Sequence, residues 1–301
     1  MKDVNCYMCG SRSCAVLESQ NAFPDTYLAL IGLDRSDMNR RICVCNDCGF
    51  VYRTPILDAA DASLLYSDKY RDNILKRGTA DDYFDRIVAV PDAESELAAK
   101  IDWLGQRLRV RFGHSPALLD VGCGAGMFLY KFLRQFPAWD VAGVEPGALF
   151  GETAARRLAK PVAIQNYEPG LFGRRFELIT LIQVLEHVES PADLLASVKE
   201  DLSVDGVVYI ETPSVADFGI VPPGHDRFMI PHLYFFSPNS MRNLCARAGF
   251  AVLECELVRT KRGKVDVRAL CRHDPAAPDF ALLRDDVAQA LALRKAFLKP
   301  Q

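Results

Sequence analysis

From residue 117 onward the apolar residues fall into two alternating patterns. Ala117–Val121, Trp139–Val144, Val162–Gln165, Glu177–Ile182 and Gly206–Glu211 are short apolar runs of the kind that form strands buried on both faces. Between them, Gly126–Gln135, Ala148–Leu158 and Pro191–Asp201 are amphipathic stretches with helical spacing, the last with Pro191 at its start. An irregular segment, Thr212–Phe236, precedes a helix over Pro238–Ala248 that Gly249 ends. Ala251–Val258 and Val265–Cys271 pair across the turn Thr260–Lys264. The pattern predicts an α/β fold: a Rossmann-like, seven-stranded, mostly parallel sheet with an antiparallel closing hairpin, covered by helices.

The preceding chain differs. Residues 1–53 hold six of the ten cysteines and few helix signals. Residues 54–115 read as helical, with apolar residues at helical spacing in Ala93–Phe112. The expected organisation is a small zinc ribbon-like module over 1–53, a helical cap or linker over 54–115, the α/β domain over 116–273 and a C-terminal helix within 274–301. Leu282, Leu283, Val287, Leu291 and Leu293 mark residues 280–298 as an amphipathic helix, a packing element or an oligomer contact.

Composition narrows the class. Half the residues are hydrophobic and a quarter charged, and 36 basic against 39 acidic residues leave −3. The balance implies no general polyanion-binding surface. The start, MKDVNCYMCG, has no signal-peptide stretch, and no apolar run is long enough to span a bilayer. A cytoplasmic protein with no membrane insertion is expected. The cysteines are too sparse for a disulfide scaffold, and their clustering suggests metal binding.

Cys6-x-x-Cys9 and Cys45-x-x-Cys48 are two knuckles able to supply four thiolates to a structural zinc ion. Cys43 is a rival ligand and Cys14 a weaker one. Four thiolates would leave the metal no open position, so no catalysis is assigned to it.

The strand Ala117–Val121 runs into Gly122-Cys123-Gly124-Ala125-Gly126 and then a helix. Three alternate glycines let the backbone turn tightly and bring amides close to a ligand at a helix N-terminus. A dinucleotide fingerprint would need glycine at position 127, where Met127 stands, so a dehydrogenase is disfavoured. The arrangement D-x-G-x-G-x-G from Asp120 resembles the first motif of class I methyltransferases that use S-adenosylmethionine (SAM). Glu145, at the tip of the second strand, can accept hydrogen bonds from both ribose hydroxyls. Phe176–Val188, with its Leu185-Glu186-His187 triplet, is similar to the fourth-strand motif of that superfamily. The resemblance implies a SAM site made of Asp120, Gly122, Cys123, Gly124, Gly126 and Glu145. It also implies Gln183 near the methionine part, and the turn Gln165-Asn166-Tyr167 beside the adenine. An acid often stands in that turn; here the choice is Asn166 or Glu168.

Pro231-His232-Leu233-Tyr234-Phe235-Phe236-Ser237-Pro238-Asn239-Ser240, with Ala248-Gly249-Phe250, resembles a subgroup associated with sugar and polysaccharide modification. Phe50-Val51-Tyr52-x-x-Pro55 and Leu65-Tyr66-x-x-x-Tyr70 resemble sugar-modifying methyltransferases that carry an N-terminal zinc module. In such relatives the module and the following helices help form the acceptor pocket.

Methyl transfer is an in-line displacement in which the enzyme aligns donor and acceptor, with a base where the acceptor is a hydroxyl or C–H acid. Three of five histidines, His187, His225 and His232, fall where α/β sheets bind ligands. The resemblance puts His232 first as the base, with Tyr234 beside it and His187 next. Asp226 and Arg227 are candidates to hold a polar substrate. The basic turn Arg259–Lys264 is a solvated hairpin tip or a phosphate contact.

The expected acceptor is a sugar, nucleotide-sugar or glycan. The alternatives are an RNA methyltransferase gripping nucleic acid with its zinc module and a non-catalytic SAM-binding scaffold. Residues 1–60 carry six basic and seven acidic residues, a net −1. A nucleic-acid grip should be basic, so nucleic acid is not the expected partner.

Overall fold

The computed structural model describes residues 1–33, 39–66, 75, 78–108, 115–222, 224–274 and 282–298. Phe112 and Tyr70, named above, lie outside them. The chain forms two compact units, one of Met1–Leu65, Gln183–Leu194 and Glu211–Gln301, the other of Tyr66–Ile182 and Leu195–Ile210.

The second unit is built on parallel strands: β4 (Ala117–Val121), β5 (Asp140–Val144), β6 (Val162–Ala163) and β7 (Phe176–Ile182). Every residue of β4 is buried, as its unbroken apolar run predicts for a central strand. β4 pairs in parallel with β5 on one side and β7 on the other. The chain thus steps outward from β4 through β5 to β6, then crosses back to β7. That reversal opens a crevice beyond the carboxyl end of β4, where the glycine loop begins.

The helix Glu96–Leu108 buries Ile101, Trp103, Leu104 and Leu108, and Trp103 lies 5.5 Å, centroid to centroid, from the ring of Tyr209. The helix Ala80–Val88 starts with a capping box between Thr79 and Asp82. It packs Ala80 and Phe84 with Ala125 and Phe150.

In the first unit, β1 (Cys14–Ser19), β2 (Arg41–Cys45), β3 (Val51–Thr54) and β9 (Tyr234–Phe235) form a four-stranded sheet in that order. β9 comes from the segment read as irregular: Val51 faces Phe235 and Tyr52 faces Tyr234 in antiparallel register. The core beneath contains Leu17, Ile42, Val44, Val51, Phe218, Phe228 and Phe235. The helix Val287–Leu298 packs Val287, Ala290 and Leu291 on it. Arg294 on that helix is 1% exposed and pairs with Glu18 while donating to the carbonyls of Phe218 and Val221.

β10 (Phe250–Arg259) and β11 (Val265–His273) form the expected antiparallel hairpin. The large sheet runs β10-β11-β8-β7-β4-β5-β6, with β8 at Leu202–Pro213. This is the mixed, mostly parallel seven-stranded α/β sheet that the hydrophobic pattern predicts. Among the described residues no helix is long and apolar enough to cross a membrane.

Candidate functional site

After β4 the chain turns through Gly122, Gly124 and Gly126, all with positive φ (79°, 57° and 84°) that an L side chain resists. The amides of Gly122 and Cys123 both donate to the carbonyl of Val144, at 2.8 and 3.0 Å, tying the loop to the end of β5. Glu145, which follows, is 1% exposed. Its carboxylate accepts from the amide of Gly124 at 2.9 Å and from that of Gly147, the N-cap of helix Ala148–Leu158, at 3.1 Å. One carboxylate therefore braces the glycine loop and the next helix start. Six residues singled out by the sequence, Asp120, Gly122, Cys123, Gly124, Gly126 and Glu145, stand together here.

Asp120 is buried at the end of β4, and Thr180 of β7 donates to it. Burial pushes its carboxyl up to about 7; the Thr180 hydrogen bond opposes this and the nearby charge of Glu145 adds to it. At the turn after β6, Asn166 is exposed. Tyr167 donates its hydroxyl to Asp201 at 2.8 Å.

In the first unit, Gln183 adopts φ 57°, uncommon for a non-glycine residue. Its amide nitrogen Nε2 donates to Asp266 at 3.3 Å. The Leu185–His187 turn follows. Glu186 is 0% exposed, and neither carboxylate oxygen has a hydrogen-bond partner. Burial raises its pKa to about 8, opposed by its own backbone amide and by Arg227 and aided by the charges of Asp266 and Glu211.

His187 and His232 lie 4.9 Å apart, centroid to centroid. His187 Nδ1 is 2.9 Å from the carbonyl of Pro231, and His232 Nδ1 is 3.0 Å from that of Arg227. Burial and the neighbouring His187 hold His232 well below the usual histidine range, so its imidazole is neutral at pH 7. The sequence reading quoted Glu186 within its triplet and gave it no role. The signal was that triplet; the missing information was that residue 232 folds back onto it.

The other polar residues of this segment are engaged elsewhere. His225 contacts Asp226 and Lys264. Arg227 is buried and bridges Asp217 at 2.6 Å and Asp266 at 2.7 Å. Tyr234 donates its hydroxyl to the carbonyl of Glu189 at 2.7 Å and packs its ring against Tyr7 and Phe50.

Cys6, Cys9, Cys45 and Cys48 converge, their sulfurs all within 4.8 Å of one another. Cys6–Cys48 and Cys9–Cys45 are 3.6 and 3.5 Å apart. Tetrahedral zinc thiolate geometry asks for about 3.8 Å between sulfurs, so the donor set fits zinc. The amide of Gly10 donates to the carbonyl of Cys6 and that of Gly49 to Cys45, closing both knuckle turns. Cys43 is outside the group: it sits one strand repeat back along β2, opposite Tyr52, with its thiol beside Cys14.

A methyltransferase-domain family matches residues 92–255. Curated relatives named tRNA U34 carboxymethyltransferase match from Azotobacter vinelandii (strain DJ / ATCC BAA-1303), 30% identical over 169 residues, covering 51% of this chain and 51% of that protein. Another match is from Campylobacter jejuni (strain RM1221), 28% identical over 152 residues, covering 48% of this chain and 51% of that protein. The chain thus spans about half the length of the curated relatives it matches. Among solved structures, the plantazolicin methyltransferase BpumL with a pentazolic substrate analogue and SAH is 13% identical. It covers 65% of this chain and 90% of its own, with a TM-score of 0.49.

The relatives' name overturns two expectations. A sugar, nucleotide-sugar or glycan acceptor, with its polysaccharide setting, is not what they point to; nor does the exclusion of nucleic acid as a partner stand. That exclusion summed charge over residues 1–60 alone. Such a local sum takes no account of basic side chains elsewhere, among them Arg259, Lys261, Arg262 and Lys264 on the β10–β11 turn.

Proposed function

Because the chain belongs to the methyltransferase-domain family and is an enzyme of the methyltransferase class, we propose that it transfers a methyl group from SAM to an RNA acceptor. The observation that carries the donor half is the bracing of the Asp120–Gly126 loop by Glu145. The first turn of helix Met127–Gln135 presents amides that suit the methionine carboxylate, and a buried acid at the strand tip suits a ribose diol. In this reading Asp120, Gly122, Cys123, Gly124, Gly126, Glu145, Asn166, Tyr167 and Gln183 serve the donor. The acceptor half rests on the relatives' tRNA-modifying name.

The reaction needs alignment more than activation, because the sulfonium already makes the methyl carbon electrophilic. Where the acceptor is a hydroxyl, His232 is the base in this reading, with His187, His225 and Tyr234 as its alternatives. A base must be neutral to accept a proton, which burial ensures for His232. The four cysteines hold a structural zinc ion that takes no part in the transfer.

The test uses labelled SAM with bulk tRNA and a matched protein-only control. Label in RNA, lost in Glu145→Ala, is the expected result, and the mass added to the nucleoside identifies the transferred group as methyl. Saturable SAM binding with no label in any RNA fraction would remove the RNA acceptor. No SAM or SAH binding by calorimetry would remove the donor.

A further inference from the structure

We propose that Glu186, His187 and His232 form a binding site for one divalent first-row transition-metal ion, distinct from the four-cysteine cluster; an ion held there takes the Nε2 lone pair of His232, so its ligand role and the base role of the proposed function exclude each other. Each offers a donor atom, and the three atoms lie within 4.8 Å of one another. His187 Nε2 is 3.8 Å from Glu186 Oε1. At a metal–ligand distance of about 2.1 Å, cis ligands stand about 3 Å apart and trans ligands about 4.2 Å. The observed separation falls between these limits.

The orientation of the rings is the second observation. Both Nδ1 atoms face backbone carbonyls, of Pro231 and Arg227. A neutral imidazole that donates its Nδ1–H to a carbonyl carries its lone pair on Nε2, held in a fixed direction. This is how metal-ligating histidines are oriented.

Glu186 supplies the third. Both its oxygens are buried without a hydrogen-bond partner, a costly state for a carboxylate unless a cation or a proton joins it. The guanidinium that acts on it, Arg227, engages Asp217 through Nε and Asp266 through Nη2, and its Nη1 makes no hydrogen bond to Glu186. Two imidazole nitrogens with one carboxylate favour Mn²⁺, Fe²⁺, Co²⁺ or Zn²⁺ over Mg²⁺ or Ca²⁺. Three protein donors leave coordination positions open for water or a ligand oxygen. Both histidines keep a partial exposure that the fully buried Glu186 lacks.

The test uses the full chain loaded with zinc. MnCl2 is added and free Mn²⁺ is followed by its electron paramagnetic resonance signal; manganese is a poor match for thiolates, so the cysteine cluster does not compete. One bound Mn²⁺ per chain is expected, with affinity at least ~10-fold weaker in Glu186→Gln and in His232→Ala. Added Mn²⁺ should raise the melting temperature of the wild-type chain and not that of Glu186→Gln, an isosteric change that keeps the variant folded. Zinc content should stay the same in both variants. Failure of the wild-type chain to bind either Mn²⁺ or Co²⁺ beyond its cysteine site would overturn the proposal, as would equal binding by Glu186→Gln.

Discussion

The hydroxyl of Thr180 donates to the carboxylate of Asp120 over 2.6 Å, between the neighbouring strands β7 and β4. This contact and the adjacent charge of Glu145 act in opposite directions on a carboxyl that burial has already shifted upward. In the folded chain Asp120 titrates at about 7, against 3.8 for the ordinary group. Between those values the native state binds more protons than the unfolded one, so stability falls as pH rises. The penalty is absent below about 4 and complete above about 7. Asp120→Asn, which can still accept from Thr180, should match wild type at pH 4 and exceed it by about 4 kcal/mol at pH 8. Denaturant midpoints at the two pH values check this; a constant difference would show that Asp120 is ionised throughout.

Gly126 sits in the left-handed region at φ 84°, and an added Cβ would lie 2.9 Å from Leu158 Cδ1 and 3.1 Å from Ala154 Cβ. Gly126→Ala meets both a backbone and a packing penalty, about 1–3 kcal/mol together. SAH affinity should fall with it, because the start of helix Met127–Gln135 moves. Calorimetry with SAH and a thermal melt read the two effects; an unchanged Kd would separate the loop from donor binding.

Chelation should loosen the N-terminal module first. The Cys45–Cys48 knuckle joins β2 to β3, and the amide of Asp285 donates to the carbonyl of Cys48 at 2.9 Å. Hydrogen exchange after zinc removal should show protection lost over residues 1–53, while β4 and β7 keep theirs. Simultaneous loss everywhere would mean that the module does not open by itself.

Charge reversal on the β10–β11 turn tests the acceptor. Arg259 and Lys261 are exposed, so Arg259→Glu with Lys261→Glu should leave stability within about 0.5 kcal/mol. RNA affinity should drop and its salt dependence flatten, with SAM affinity unchanged. Equal RNA binding by wild type and variant would place the RNA elsewhere.

Several features could be read along the chain because they depend on neighbours in sequence. The buried run of β4, the glycine loop that follows it and Glu145 at the next strand tip are local patterns with fixed spacing. The hairpin of β10 and β11 is equally local. The cysteine knuckles announced themselves by C-x-x-C, and the rival Cys43 stands outside the group they form.

Tertiary structure decided the rest, because long-range contacts leave no periodic trace. Tyr234 and Phe235 look like part of an irregular segment, yet they complete a sheet begun by Val51 and Tyr52, some 180 residues earlier. Arg294, given no role by the apolar spacing of its helix, is buried against Glu18 and two carbonyls. His232 gains its place beside Glu186 and His187 only when the chain returns to the carbonyl of Arg227. A strand or glycine turn is set by sterics within a few residues, whereas a cluster of donor atoms is set by where separate segments meet.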